Sequence, residues 1–165
     1  MKVLRISWLA GLLAVLAVFP AAAQVELPAA KNLTELATDA RDRGVPILLM
    51  FSAPDCGYCR ALEADYLKPM IKSGDYDDKV IIRKVQMSIG ADLVGFDGQS
   101  KAVDDFADRY KVFVTPTVLL VGPDGHQLAS KLEGYSSPDF YGGYLDKAID
   151  TSLGRLREMA VAANP

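Results

Sequence analysis

The spacing of apolar residues predicts an α/β chain. Apolar residues recur at helical spacing in four segments, which predicts helices over 33–40, 59–70, 103–110 and 140–153. Short apolar runs without this spacing predict strands over 47–51, 80–85, 117–121 and 127–132. The predicted order is α-β-α-β-α-β-β-α, with residues 88–99 as a loop rich in Gly and Asp.

Capping and turn residues mark the ends of several predicted elements. Asn32 and Glu35 have the spacing of a helix capping box. The segment Gly122–Gly125 supplies hairpin-turn chemistry, so the last two strands should be antiparallel. Ser137 and Pro138 are the residue types expected at the N-cap and first position of the final helix.

The first strand leads directly to the most informative motif of the chain. Ile47–Phe51 shows no polar alternation, as expected for a central strand covered on both faces. The only two cysteines, Cys56 and Cys59, follow this strand and precede a helical pattern. Two thiols with this spacing at a helix N-terminus can close a small, reversible disulfide, and the helix stabilises the thiolate. The motif therefore predicts dithiol/disulfide exchange.

A metal site or a haem attachment site is the main alternative for a C-x-x-C pair. Residue 60 is Arg60, whereas c-type haem attachment requires His there. A structural zinc site needs about four ligands. The chain has no third Cys and a single His, His126, in the predicted hairpin turn. The sequence therefore predicts no metal and no cofactor, although Cu(I) binding by Cys56 and Cys59 stays open.

The N-terminus has the pattern of a secretory signal peptide. Lys2 and Arg5 precede an apolar stretch over 6–19, and Ala21–Ala23 form a small-residue cleavage pattern. We expect cleavage after this pattern, which removes residues 1–23.

Removal of the signal leaves one exported domain. Residues 24–160 are long enough for a single core, and 161–165 are expected to form a flexible tail. The signal is typical of bacterial export and predicts a periplasmic location, with membrane contact only if it stays uncleaved. The formal net charge of −3 becomes −5 without the two basic residues of the signal, and the remaining basic residues are interspersed with acids. This charge pattern argues against nucleic acid as a partner.

A second motif connects the chain to a known family. The segment Val114–Thr117 lies before the predicted hairpin, and with the C-x-x-C motif and the predicted order it resembles the thioredoxin fold over nearly all of the mature chain. Phe51–Arg60 is similar to the active-site segment of that family. The resemblance implies a thioredoxin-like α/β fold, a central mixed sheet of about four strands flanked by helices. It also implies that Pro116 follows a cis peptide bond and faces the cysteines, and that Thr115 and Pro116 contact the substrate.

Several residues depart from cytoplasmic thioredoxin. Asp55 stands where that family has a Trp before the first cysteine, and Gly57 and Tyr58 replace its Gly-Pro pair. Met50 occupies the position of a buried acid. These departures argue against a housekeeping thioredoxin.

Other thioredoxin-like proteins share more of these features. The Gly-Tyr pair and Thr115 are similar to the catalytic domain of bacterial periplasmic disulfide isomerases. The overall layout resembles periplasmic thioredoxin-like proteins linked to sulfur-compound oxidation. The spacing from Cys59 to Glu63 resembles the periplasmic reductase domain of the transmembrane electron-transfer protein.

The two cysteines have different expected roles. Cys56, at the helix start, should be exposed and attack the substrate, whereas Cys59, one turn later, should be more buried and resolve the mixed disulfide. Glu63 lies four residues after Cys59 on the same helical face. It could accept the proton of the resolving thiol in place of the acid missing at Met50. A solvated surface carboxylate is the alternative interpretation of Glu63.

Three further residues belong to the predicted site. We expect Tyr58 to present its ring at the rim of a substrate groove. Gly57 and Asp55 are expected to tune the redox properties, Asp55 because a carboxylate next to Cys56 disfavours the thiolate. A solvated Asp55 without such a role is the alternative.

These observations predict a secreted, monomeric thiol:disulfide oxidoreductase that reduces or isomerises disulfides of periplasmic proteins. Such an enzyme needs an upstream thiol donor, such as a membrane electron-transfer protein. Two alternatives remain open at this point. One is a copper metallochaperone that uses Cys56 and Cys59, and the other is a non-catalytic interaction module with the same fold.

Overall fold

Residues 25–136 and 138–163 are described by a computed structural model. The predicted signal segment 1–23, the predicted mature N-terminus at Gln24 and the predicted cap Ser137 lie outside the described residues. The helices of the described part are α1 (Leu33–Arg43), α2 (Gly57–Leu62), α3 (Lys68–Ser73), α4 (Val103–Arg109) and α5 (Pro138–Ala163), with a π-helical turn (Glu63–Leu67) between α2 and α3. Its strands are β1 (Ile47–Ser52), β2 (Ile81–Gln86), β3 (Asp92–Val94), β4 (Ser100–Ala102), β5 (Thr117–Val121) and β6 (Leu132–Glu133).

The strand β1 lies inside a mixed four-stranded sheet with the order β2-β1-β5-β6. It pairs in parallel with β2 and antiparallel with β5, and β5 pairs antiparallel with β6. Every residue of β1 is buried, as its uninterrupted apolar run predicts. The predicted thioredoxin-like fold, with a central mixed sheet of four strands flanked by helices, is confirmed.

Helices cover both faces of this sheet. Ile47, Leu49 and Phe51 of β1 belong to a core shared with α1 and α4. Leu48 and Met50 belong to a second core, shared with α2, α3 and α5. Because successive side chains of a strand point to opposite faces, the domain has three layers. The helix that carries the cysteines lies on the second face, beside α5.

The predicted loop over 88–99 contains most of a two-stranded hairpin, which corrects the sequence interpretation. β3 pairs antiparallel with β4, and Val94 forms a bridge with Asn32 at the start of α1. Leu93 is buried, and Thr34 Oγ1 donates to the carbonyl of Gly95 at 3.0 Å. A three-residue strand with one inward side chain is too short to show a period among Gly and Asp residues.

Two predicted boundaries also move. The strand expected over 127–132 is reduced to β6, because the consecutive residues Leu128 and Ala129 are both buried, which breaks the alternation of a pleated strand. At the C-terminus, α5 continues through Ala163, past the start of the predicted tail over 161–165. The Ala-rich sequence there favours helix.

The helix predicted over 59–70 is present but irregular. The N–H of Lys68 bonds to the carbonyl of Glu63, five residues back, and Pro69 follows at once. Because Pro has no N–H to donate, a regular turn cannot form there. The wider π-helical turn accommodates the missing hydrogen bond at Pro69. In this turn Glu63 and Leu67 are buried.

Tyr66 connects the π-helical turn to α5. Its hydroxyl donates to the carbonyl of Pro138. A Cβ at Gly142 would lie 2.7 Å from Cε1 of the Tyr66 ring, whereas a Cβ at the next residue, Gly143, would meet nothing within 4 Å. The absent side chain of Gly142 therefore makes room for the ring.

Alanine at these two glycines should have opposite effects on stability. We expect Gly143→Ala to raise the free energy of unfolding by about 0.5–1 kcal/mol, because Ala is the better helix former. Gly142→Ala should lower it by about 1–3 kcal/mol, because the Tyr66 ring must move. Urea denaturation of the two variants measures the difference. Equal stabilisation of both would show that Tyr66 is not held against α5.

Candidate active site at the Cys56–Cys59 disulfide

The two cysteines lie beyond the end of β1 and form a disulfide across the first turn of α2. Their Cα atoms are 5.2 Å apart. Cys56 is the N-cap of α2, and its Sγ accepts a hydrogen bond from the backbone N–H of Cys59 at 3.1 Å. Cys56 is half-buried, whereas Cys59 is only 1% exposed. The sulfur that a partner molecule can reach is therefore that of Cys56.

The position of Cys56 also favours a thiolate after reduction. The first N–H groups of a helix have no partner within the helix, and this end carries a partial positive charge. The N–H of Cys59 already points at the sulfur of Cys56. A hydrogen bond of this kind becomes stronger when its acceptor is charged.

Thr115, the residue directly before Pro116, lies against the disulfide. The peptide bond between them is cis, and Pro116 is buried. The hydroxyl of Thr115 lies 3.8 Å from Cys56 Sγ, within hydrogen-bond range for sulfur. The carbonyl of Pro116 accepts a hydrogen bond from the N–H of Gly134 at 2.8 Å. The start of β5 and the end of β6 are thereby held beside Cys56.

The other predicted residues next to the cysteines are on the surface. Asp55, Gly57 and Tyr58 are all exposed, and Tyr58 retains 66% of its accessible area. Asp55 has φ 57°, in the left-handed region, which Asp tolerates better than most residues other than Gly. This turn carries the chain from β1 into α2, a role for Asp55 that motif spacing did not indicate.

Glu63 is not a solvated surface residue, so that alternative interpretation is wrong. It is 6% exposed, and both of its carboxylate oxygens accept hydrogen bonds from Lys84 Nζ, at 3.1 and 3.4 Å. Lys84 lies on β2 directly opposite Met50 in the strand register. A partly buried ion pair therefore lies beside the position where the acid is missing, and its carboxylate belongs to the residue one helical turn beyond Cys59.

The sequence matches the family of thioredoxin-like domains over residues 33–149. The chain belongs to the thioredoxin-like family. The matched residues include both cysteines, Glu63 and the cis proline. A comparison with curated protein sequences gave no match.

Solved structures similar to this thioredoxin-like domain come from several organisms. Mitochondrial thioredoxin 3 from Saccharomyces cerevisiae is 25% identical, with a TM-score of 0.48 over 75% of this chain and 93% of the other. The periplasmic thioredoxin SoxS from Paracoccus pantotrophus is 25% identical, with a TM-score of 0.44 over 65% of this chain and 98% of the other. Thioredoxin NaTrxh from Nicotiana alata is 19% identical, with a TM-score of 0.47 over 75% of this chain and 96% of the other.

Exposed apolar side chains of this thioredoxin-like domain belong to segments at the same end of the sheet as the disulfide. Phe113 and Val114, directly before Thr115, are 76% and 49% exposed. Ile89 is fully exposed. It follows β2, whose end lies at the same sheet edge as the end of β1 because the two strands are parallel. We name Tyr58, Ile89, Phe113 and Val114 the apolar rim.

Sequence reasoning found only Tyr58 among the residues of the apolar rim. It also missed Lys84, which strand periodicity alone assigns to the surface of β2. A signal for the rim was present in the apolar pair directly before Thr115, since those two residues belong to no predicted strand or helix. The exposure of Ile89 had no comparable signal.

The remaining candidate chemistry lies away from the disulfide. His126 is exposed and pairs with Asp124 at 2.9 Å, in the turn at the far end of β5. Across residues 25–136 and 138–163, no three His, Cys, Asp or Glu side chains are grouped so that they could hold a metal ion. In the same part of the chain, every helix is too short or too polar to cross a membrane.

Proposed function

We propose that this protein is a thiol:disulfide oxidoreductase that reduces or isomerises disulfides of exported proteins through Cys56 and Cys59. The observation that carries the proposal is the disulfide itself. One of its sulfurs is accessible at a helix N-terminus and lies 3.8 Å from the hydroxyl of Thr115, the residue before the cis proline, whereas the other is buried. A purely structural disulfide over so short a loop adds little stability, which favours a catalytic role.

The reaction starts from the reduced pair. The Cys56 thiolate attacks a sulfur of the substrate disulfide, the substrate S–S bond breaks, and the first substrate thiolate leaves and takes up a proton. Cys59 then loses its proton and attacks Cys56 Sγ, which releases the second substrate thiol and closes the Cys56–Cys59 disulfide. Two electrons pass from the protein to the substrate. An upstream thiol donor must return two electrons before the next cycle.

In isomerisation the mixed disulfide has a second exit. Another thiol of the substrate attacks the substrate sulfur that is bound to Cys56, which forms a new substrate disulfide and returns Cys56 as a thiolate. No net electron transfer occurs in that case. Both reactions use the same accessible sulfur.

We assign Glu63 as the proton acceptor for Cys59. The Cys59 thiol is removed from water, so bulk solvent is a poor recipient for its proton. Glu63 is the buried carboxylate one helical turn further on, and Lys84 keeps it hydrogen-bonded. General-base assistance of this kind is what the second step of reduction needs.

The apolar rim favours a polypeptide substrate over a small polar disulfide. Its side chains belong to segments at the same end of the sheet as the accessible sulfur and are too exposed to contribute to the core. Apolar groups of an unfolded or partly folded protein would gain by covering them. Asp55 is the charged residue directly before Cys56. We assign it a role in tuning the Cys56 thiolate rather than in binding a charged substrate.

Reduction of insulin by dithiothreitol tests the proposed function. We expect the wild-type domain to accelerate it and Cys56→Ala to lose more than about a hundredfold in rate, because no attacking thiolate remains. An anaerobic Cu(I) titration runs beside it. Tight Cu(I) binding without insulin reduction would support the metallochaperone instead. If the protein neither reduces insulin nor binds Cu(I), the non-catalytic interaction module is supported.

We also propose that the protein is exported with loss of residues 1–23 and acts in the periplasm as a monomer. The basic and apolar pattern before Ala21–Ala23 supports this. The intact mass of the exported protein should correspond to a chain that starts at Gln24. A species that retains Trp8 would show an uncleaved membrane anchor.

A further inference from the structure

A groove with aromatic walls lies between the β6 segment and the start of α5. It has a volume of about 550 Å³ and is lined by residues 131–136 together with Phe140, Tyr141 and Tyr144 of α5. Gly134 in its wall donates to the carbonyl of Pro116, and Thr115, the residue before Pro116, contacts Cys56 Sγ. These contacts connect the groove to the active site. We name it the aromatic groove.

Two aromatic side chains of α5 are presented to solvent at this groove. Phe140 is 75% exposed and Tyr144 is 61% exposed. They are four residues apart, so they lie on the same face of the helix. Deeper in the wall, burial raises the pKa of the Tyr141 hydroxyl, which stays protonated and neutral.

The groove has almost no net charge. Lys131 and Glu133, the charged residues of its wall, pair with each other at 3.1 Å. A strongly charged ligand would therefore find no unpaired counter-charge there among the described lining residues. Apolar side chains fit the aromatic walls better.

The backbone of β6 offers hydrogen bonds to an extended chain. In the antiparallel pair with β5, Glu133 stands opposite Thr117, and the neighbouring residue Gly134 donates to Pro116. Hydrogen-bonded and non-bonded pairs alternate along such a ladder, so the N–H and C=O of Glu133 point away from β5. β6 is the last strand in the order of the sheet. Among residues 25–136 and 138–163, neither group has a backbone hydrogen-bond partner.

We propose that the aromatic groove binds an extended, apolar segment of the polypeptide substrate, which adds to the open edge of β6 next to the disulfide. The substrate backbone pairs with Glu133, and its alternate side chains pack on Phe140 and Tyr144. This inference rests on the proposed function and gives its substrate class. It makes the enzyme selective for unfolded segments that carry apolar residues near a cysteine.

Binding of a cysteine-free peptide separates the groove from the thiol chemistry. The probe is a fluorescein-labelled peptide of alternating Val, Phe and Thr residues, and anisotropy gives its Kd for the oxidised protein. The variant is Phe140→Ser with Tyr144→Ser, and the matched control is Met159→Ser with Val161→Ser, exposed apolar residues at the other end of α5. We expect the groove variant to weaken binding about tenfold and the control to leave it unchanged.

An N-methylated form of the same peptide tests the strand pairing. It keeps the side chains but loses the N–H groups that would bond to β6, so it should bind wild type about tenfold more weakly. The proposed peptide binding in the aromatic groove is contradicted if the double variant binds the parent peptide as tightly as wild type does. It is also contradicted if N-methylation leaves the Kd unchanged.

A catalytic measurement keeps the two proposals apart. The same peptide with a terminal disulfide should be reduced with a lower KM than a disulfide peptide in which Ser replaces the Val and Phe residues. The groove variant should lose this preference, although it should reduce oxidised glutathione at the normal rate. Normal peptide binding by wild type without any disulfide reduction would reject the proposed function and keep the groove as a binding site.

Discussion

Replacing Cys59 with Ser is expected to make the protein accumulate covalent complexes with its substrates. In this variant Cys56 can still attack, because its thiolate is accessible at the start of α2. The mixed disulfide then lacks its intramolecular exit. The neighbouring thiol reacts as if present at a concentration far above that of free thiols, so without it the complex should persist.

Cys56→Ser is the matched control for this trapping experiment. The remaining thiol of Cys59 is 1% exposed, so it should form no complexes. Alkylation of free thiols followed by non-reducing gels of exported fractions would display the trapped partners, and mass spectrometry would identify them. Equal trapping by both variants would contradict the assignment of the attacking and resolving sulfurs, and trapping by neither would argue against thiol exchange.

The parts of the fold that depend on local patterns could be predicted from the sequence. Ile47–Phe51 is uniformly apolar because both faces of β1 are covered, and that pattern marks a central strand without knowledge of its neighbours. The N-cap at Asn32 is equally local, since its side chain accepts from the N–H groups of the next turn. β3 and β4 could not be predicted, because three residues are too few to show the alternation of apolar and polar positions that marks a strand. Their packing depends on α1, which lies far away in the chain.

The candidate site also combines residues that local sequence patterns reveal with residues that only distant contacts bring into place. Cys56 and Cys59 are found from spacing alone, because strand, turn and helix start follow each other directly. The partner of Glu63 is 21 residues away, and only the register of β2 against β1 brings Lys84 beside it. The π-helical turn adds to this difficulty, because it changes which side chains face inward after Glu63. Exposure in loops, as at Ile89, leaves no pattern at all.

Glu63→Gln is expected to slow insulin reduction about tenfold to a hundredfold at neutral pH without unfolding the domain. Gln has the same shape but cannot accept a proton, so Cys59 loses the general base for its attack. Stability should fall by only about 1–2 kcal/mol, because Lys84 keeps an amide acceptor and still reaches solvent. Its side chain retains 23% exposure. Thermal melting beside the activity assay checks both statements, with the exposed Glu158→Gln as the control.

The pH dependence separates proton transfer from a merely structural role of Glu63. If the carboxylate takes the proton from Cys59, its loss matters most where hydroxide is scarce. The deficit of Glu63→Gln should therefore shrink as the pH is raised from about 6 to about 9. A residue that only positions the helix through Lys84 would give a deficit that is independent of pH. The attack of Cys56 on substrate, followed by single-turnover mixing of the reduced proteins, should stay at the wild-type rate, because Glu63 is proposed to take a proton from the resolving thiol only.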